Sequence, residues 1–143
     1  MSVNPYIEFN GNCREAVAFY TQVFGVTEKA QIMTWGEMPA DPKYPLPEED
    51  KNLVMHTELI LNGSTVMFSD RPASMPILIG NNISLIIMSK DIEEIEMLFN
   101  KMKVGGTVAM ELQETFWSKS YGFLTDKYGI PWQFIHDSKM MGM

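Results

Sequence analysis

The chain is poor in the residues from which many catalytic centres are built. Its 143 residues include one cysteine, Cys13, and two histidines, His56 and His136. A single cysteine excludes an intrachain disulfide and suits a reducing compartment, so a cytoplasmic location is expected. With two histidines there is no His-x-x-x-His pair, and no Ser/His/Asp arrangement can be assembled. Glycine-rich phosphate loops and Walker patterns are also missing. Lysine and arginine number 11 against 18 acidic residues and form no cluster, which argues against a nucleic-acid surface. No apolar run approaches the roughly 20 residues that span a bilayer; the longest are pieces such as Leu85-Ile86-Ile87-Met88. Met1 to Pro5 has neither the basic nor the apolar region of a secretory signal. Neither nucleic acid nor membrane is therefore expected as a partner.

What is present is ordinary globular material, 45% hydrophobic and 20% charged. Its length suits one domain and is too short for two independent ones. The net charge of −7 aids solubility and can also attract a cationic ligand. Thirteen methionines are many. Those in strands read as adaptable core filling, and Met140, Met141 and Met143 fall in a tail expected to fray.

The order of elements occurs twice. Asn4 to Phe9 reads as a strand, Asn10-Gly11 as a turn, and Asn12 as the N-cap of a helix with Glu15 at the capping-box position. Ala16, Phe19, Tyr20, Val23 and Phe24 recur at helical spacing, and Gly25 stops the helix. Val26 to Met38 reads as a bulged strand. Pro39 to Asp50, with four prolines and four acids, is an exposed loop. Leu53 to Leu61 and Ser64 to Ser69 form a hairpin through Asn62-Gly63, both positions of which need positive φ. Arg71 to Gly80 connects to the second half. There Asn82 to Met88 is a strand, and Asp91 caps a helix whose apolar face is Ile92, Ile95, Leu98, Phe99 and Met102. Thr107 to Leu112, Ser118 to Thr125 and Pro131 to His136 are the last strands. Each half is thus a β-α-β-β-β unit.

Several strings in this order, Pro5-Tyr6-Ile7-Glu8-Phe9, Ala16 to Tyr20, Phe24-Gly25, Val66 to Asp70 and Asp126 to Trp132, resemble the PhnB-like branch of the vicinal oxygen chelate superfamily. That superfamily includes glyoxalase, extradiol dioxygenases and bleomycin- and fosfomycin-resistance proteins. The resemblance covers about Asn4 to His136. It implies an α+β fold of two βαβββ modules forming a glyoxalase/bleomycin-resistance-like curved sheet with a concave cleft. Residues 1–143 would be one such domain, with module one at about 3–70, a linker at about 71–81 and module two at about 82–137. A homodimer is implied too, and open sheet edges supply a physical motive for one.

Enzymes of the superfamily hold a divalent metal with His, Glu or Gln from four strands. By resemblance those positions fall at Asn4 or Pro5, at Phe68 or Ser69, at Asn82 and at Gln133. Neutral amides bind divalent metals weakly, and Phe and Pro offer no side-chain ligand, so no metal is expected at the standard positions. His56 and Glu58 share one face of their strand, and Glu8 can face them from the first strand. These three would floor a polar pocket, or alternatively hold a divalent metal or act as acid and base.

Trp35, Trp117 and Tyr121 are candidates to grip a planar or apolar ligand, with core packing as the other account. Ser69 and Asp70 could lie at a pocket rim or simply be solvated at a strand end. Asp126 and Gly129 read as turn residues and His136 as a surface residue. Cys13, in the first helical turn, lacks a partner for nucleophilic work. The candidate ligand-binding set is therefore His56, Glu58, Gln133, Glu8, Trp35, Trp117, Tyr121 and Ser69. The function expected is small-molecule binding in the cleft without the usual metal. The alternative is a divalent-metal-dependent lyase, transferase or dioxygenase, and fold alone does not choose between them.

Overall fold

The computed structural model describes residues 1–137; the tail with Met140, Met141 and Met143 lies outside them. The chain divides into two compact units, the first being Met1–Leu78 and the second beginning at Ile79. In the first unit the elements are β1 (Tyr6–Phe9), α1 (Cys13–Phe24), β2 (Met33–Thr34), β3 (Val54–Leu61) and β4 (Ser64–Asp70). In the second they are β5 (Leu85–Ser89), α2 (Ile92–Met102), β6 (Thr107–Gln113), β7 (Tyr121–Thr125) and β8 (Pro131–His136). The β-α-β-β-β order is thus present twice.

The expected curved sheet with a concave cleft is not what these strands build. They form two separate four-stranded sheets, ordered β1-β4-β3-β2 and β5-β8-β7-β6, and neither curls or closes upon itself. The first and last strands of each sheet remain edges, because neither β1 with β2 nor β5 with β6 makes a ladder. In the first unit one edge strand is also shorter than expected. The bulged strand expected over Val26 to Met38 shrinks to Met33–Thr34, and Trp35–Glu37 turns into a 3-10 helix closed by Glu37 on the Thr34 N–H at 2.6 Å. This two-residue strand pairs only Val54 and His56 of β3.

Both helices form where their periodicity places them. The buried face of α1 is Cys13, Ala16, Val17, Phe19, Tyr20 and Val23. Gly25 ends it at φ +63°, with its own N–H and that of Val26 returning to the carbonyls of Gln22 and Thr21. At its start, however, Asn12 makes no side-chain cap. The cap is supplied by Asp70, whose Oδ1 accepts from the N–H groups of Gly11 at 3.0 Å and Cys13 at 2.9 Å. A full negative charge is a stronger acceptor than an amide for the partial positive charge of a helix N-terminus. The other oxygen of Asp70 accepts from Val54 N–H at 3.0 Å. In α2 the expected cap holds, since Asp91 Oδ1 accepts from Glu93 N–H at 3.0 Å.

In each unit the sheet buries one face under its helix. Tyr20 of α1 stacks on Phe68 of β4 with ring centres 5.7 Å apart, and Phe99 of α2 meets Phe134 of β8 edge-on at 5.1 Å. The hairpin turn Asn62-Gly63 has φ of +49° and +87°, the type I′ geometry read from its sequence. Asp126 organises the other hairpin turn, accepting from the N–H groups of Tyr128 at 2.8 Å and Ile130 at 3.1 Å and from the Trp132 indole at 2.9 Å.

Asp70 is 2% exposed and serves three backbone donors from two segments besides its own. Replacing it by alanine strands those donors in a dry environment, at a cost of about 3–5 kcal/mol. Urea unfolding of Asp70→Ala should show that loss; a loss below about 1 kcal/mol would contradict the role given to the carboxylate.

Candidate functional site

The face of the first sheet turned away from α1 carries Tyr6, Glu8, His56, Glu58, Ile60 and Met67. This follows from the alternation that buries Leu59, Leu61, Val66 and Phe68 on the other side. His56 lies between two partners. Its Nδ1 is 3.1 Å from the Tyr6 hydroxyl, and its Nε2 is 3.8 Å from Glu58 Oε2. A carboxylate near Nε2 favours the proton there, which leaves Nδ1 to accept from Tyr6. The Tyr6 and His56 rings also pack at 5.6 Å.

Glu8 does not join this pair. Its Oε1 accepts from Arg71 Nη2 at 3.0 Å, while Arg71 Nη1 donates to the Pro76 carbonyl at 3.1 Å. Ser69, paired in register with Glu8, is 4% exposed. Trp35 sits in the 3-10 helix rather than on a strand, and its indole N–H donates to the Asp70 carbonyl at 3.0 Å. Among the described residues no group of three or more His, Cys, Asp or Glu side chains is placed to hold a metal.

In the second unit Trp132 and Phe134 are buried against α2, so Gln133 takes the opposite sheet face. Its amide is held at both ends. Oε1 accepts from the Tyr121 hydroxyl at 2.6 Å, and Nε2 donates to Ser84 Oγ at 2.8 Å. The Tyr121 ring meets Trp117 edge-on at 5.4 Å, and Trp117 meets Phe116 at 4.8 Å. Burial pushes the Tyr121 phenol up from its usual range, so it stays a donor to Gln133 across neutral pH. Around this polar chain Ile86, Met88 and Met110 are exposed on the strands, and Phe116 lies in the loop before β7 at 95% exposure.

Sequence reasoning missed Tyr6, Arg71 and Ser84. Alternation marks Tyr6 and Glu8 as one face of β1, but only the parallel pairing of β1 with β4 decides which of them reaches β3. His136, read as a surface residue, is half-buried, with Nε2 3.0 Å from the Lys90 carbonyl.

The positions that by resemblance fall at the superfamily's metal ligands, Asn4 or Pro5, Phe68 or Ser69, Asn82 and Gln133, make a poor donor set for a divalent metal, Pro5 having no side-chain donor and Ser69 being buried. Asn4 donates its amide to the Thr65 carbonyl at 3.1 Å, Phe68 is fully buried in the core, and Asn82 is exposed. Gln133 already uses its carbonyl oxygen for Tyr121. Neutral amides and a phenyl ring form a weak donor set.

Residues 1–135 match the family described as 3-demethylubiquinone-9 3-methyltransferase. The chain belongs to this family. It is a PhnB-like member of the vicinal oxygen chelate superfamily, as the sequence strings implied. Protein YjdN of Escherichia coli (strain K12) is 31% identical over 139 residues, 92% of each chain. The crystal structure of PA1353 from Pseudomonas aeruginosa is similar at 32% identity and a TM-score of 0.82, covering 95% of this chain and 97% of that one. A PhnB protein from Bacillus cereus, carrying the same methyltransferase description, is 28% identical with a TM-score of 0.72 over 95% of this chain and 99% of that one. Within this PhnB-like chain, no helix among the described residues is long and apolar enough to cross a membrane.

Cys13 is not part of any site. Burial, and then the Asp70 carboxylate, push its thiol up from 9.0 to about 12. A thiol raised in the folded state stabilises the protein fully below the unfolded value of 9.0, and that contribution is lost as pH rises toward 12. Cys13→Ala should therefore flatten the fall of stability between pH 9 and 12. Parallel alkaline unfolding curves for the two proteins would contradict this.

Proposed function

We propose that this PhnB-like protein binds a small organic molecule on the sheet face of its second unit opposite α2. The observation that carries the reading is the chain Tyr121–Gln133–Ser84 lying beside Trp117. An amide clamped by a phenol and a hydroxyl keeps its orientation without a ligand, so little ordering remains for binding to accomplish. Its second N–H and the Ser84 hydroxyl proton remain for an acceptor on the ligand. Trp117 and Tyr121 offer flat apolar surface, and Ile86 and Met88 extend it.

The ligand class favoured is a planar molecule with a hydrogen-bond acceptor. A positive charge on it would suit the net charge of −7 and the aromatic faces. The family description names a methyl transfer; S-adenosylmethionine, a methyl donor that joins a sulfonium through a ribose to a planar base, is therefore one probe. Binding at this site without a metal is the reading the donor set supports. His56 and Glu58 in the first unit form a separate polar pair and are not assigned to this ligand.

Calorimetric titration with a panel of planar cationic aromatics and S-adenosylmethionine tests the proposal. At least one should bind, and Trp117→Ala and Gln133→Ala should each weaken it about tenfold, the size of one aromatic contact or one hydrogen bond to a charged or polar group. Binding that survives both substitutions would place the site elsewhere and sink the reading.

A further inference from the structure

The outer edge of β3 is built as a backbone-pairing site. The hairpin turn at Asn62-Gly63 makes Leu61 and Ser64 a hydrogen-bonded pair, and such pairs alternate along an antiparallel ladder. Leu59 with Val66 and Thr57 with Phe68 are then the next bonded pairs. The N–H and C=O groups of Glu58 and Ile60 therefore point away from β4, toward the opposite edge. On that edge β2 pairs with Val54 and His56 and goes no further. The chain before β2 is held at Gln31, whose carbonyl accepts from the Thr57 hydroxyl at 2.8 Å. From there back to Phe24 it bounds a groove of about 510 Å³ whose other wall is Glu58, Leu59 and Ile60.

We propose that this groove docks an extended peptide segment of a partner protein, which adds a strand beside β3 and places a basic side chain at Glu58. Two outward donors and two outward acceptors, spaced by about 7 Å along the strand, match the repeat of an extended chain. The volume is of ligand size rather than that of a flat edge. Val26, Phe24 and Ile60, the last 62% exposed, supply apolar wall, and Glu28 and Glu58 outnumber Lys29 among the charged lining residues. A second copy of this chain fits less well. Antiparallel pairing of β3 with itself about the groove brings Glu58 against Glu58 or close to it, and like charges across a ladder repel.

The test uses the whole protein, labelled with ¹⁵N, and the blocked peptide acetyl-Val-Lys-Val-Lys-Val-amide. At millimolar concentration the amide signals of Glu58 and Ile60 should shift and gain exchange protection, while that of Leu59 changes little. Two alternately N-methylated versions of the peptide leave the protein untouched and make the result sharper. One should bind like the parent and the other at least tenfold more weakly, because only alternate peptide groups face β3. Ile60→Pro, which removes an outward N–H and no bond to β4, should also abolish the shifts. The proposal is overturned if the parent peptide leaves these amides unmoved, or if both N-methylated versions bind equally. It is also overturned if the protein self-associates through this edge and Ile60→Pro dissociates it.

Discussion

Asp70 accepts hydrogen bonds from Gly11, Cys13 and Val54 while nearly all of it is withdrawn from water. An ionised carboxylate survives in such surroundings only when donors replace its hydration, and here three backbone N–H groups do so. Through them the end of β4 is tied to the entry of α1 and to the start of β3. Its neighbours inherit their places from this knot. Ser69 beside it is buried, the Trp35 indole closes on its carbonyl, and the chain that continues from it brings Arg71 to Glu8. The charge also helps to keep the Cys13 thiol protonated, which removes the one cysteine from chemistry.

The second unit solves the same problem at a different place. Asp126 gathers two turn amides and the Trp132 indole, and so fixes the start of β8. With Trp132 and Phe134 committed to the core, Gln133 must face outward between β5 and β7. There Ser84 and Tyr121 take hold of its amide. The residue that by resemblance falls at a metal-ligand position thus sits at the centre of a neutral hydrogen-bond chain. A sheet face with a pre-oriented amide and aromatic neighbours is suited to recognition, and its donor set is not suited to Lewis-acid chemistry.

Element order, both helices, the Asn62-Gly63 turn and the Asp91 cap were legible because each rests on local chemistry or on strict periodicity. The failures have two causes, dependence on distant partners and a local turn that competes with strand pairing. Asn12 carries the local signature of an N-cap, yet the Asp70 carboxylate at the far end of β4 displaces it. Val26 to Met38 has strand-like residues, but the tight turn closed by Thr34 and Glu37 ends the pairing after two residues. The curved sheet was inherited from the family resemblance, and the open strand orders overturn it. In the candidate site, the nearness of His56 to Glu58 followed from alternation alone. The partners Tyr6, Arg71 and Ser84 followed from strand order and register, which one sequence does not reveal.

The central claim, that recognition occurs on the Trp117–Tyr121–Gln133–Ser84 face, is tested most directly by mapping chemical-shift changes of labelled protein against a library of small planar fragments. The account predicts that hits cluster on the side-chain signals of Trp117, Tyr121 and Gln133, with the Gln133 amide protons moving most. Perturbations confined to Tyr6, His56 and Glu58, or no cluster at all across the library, would contradict it.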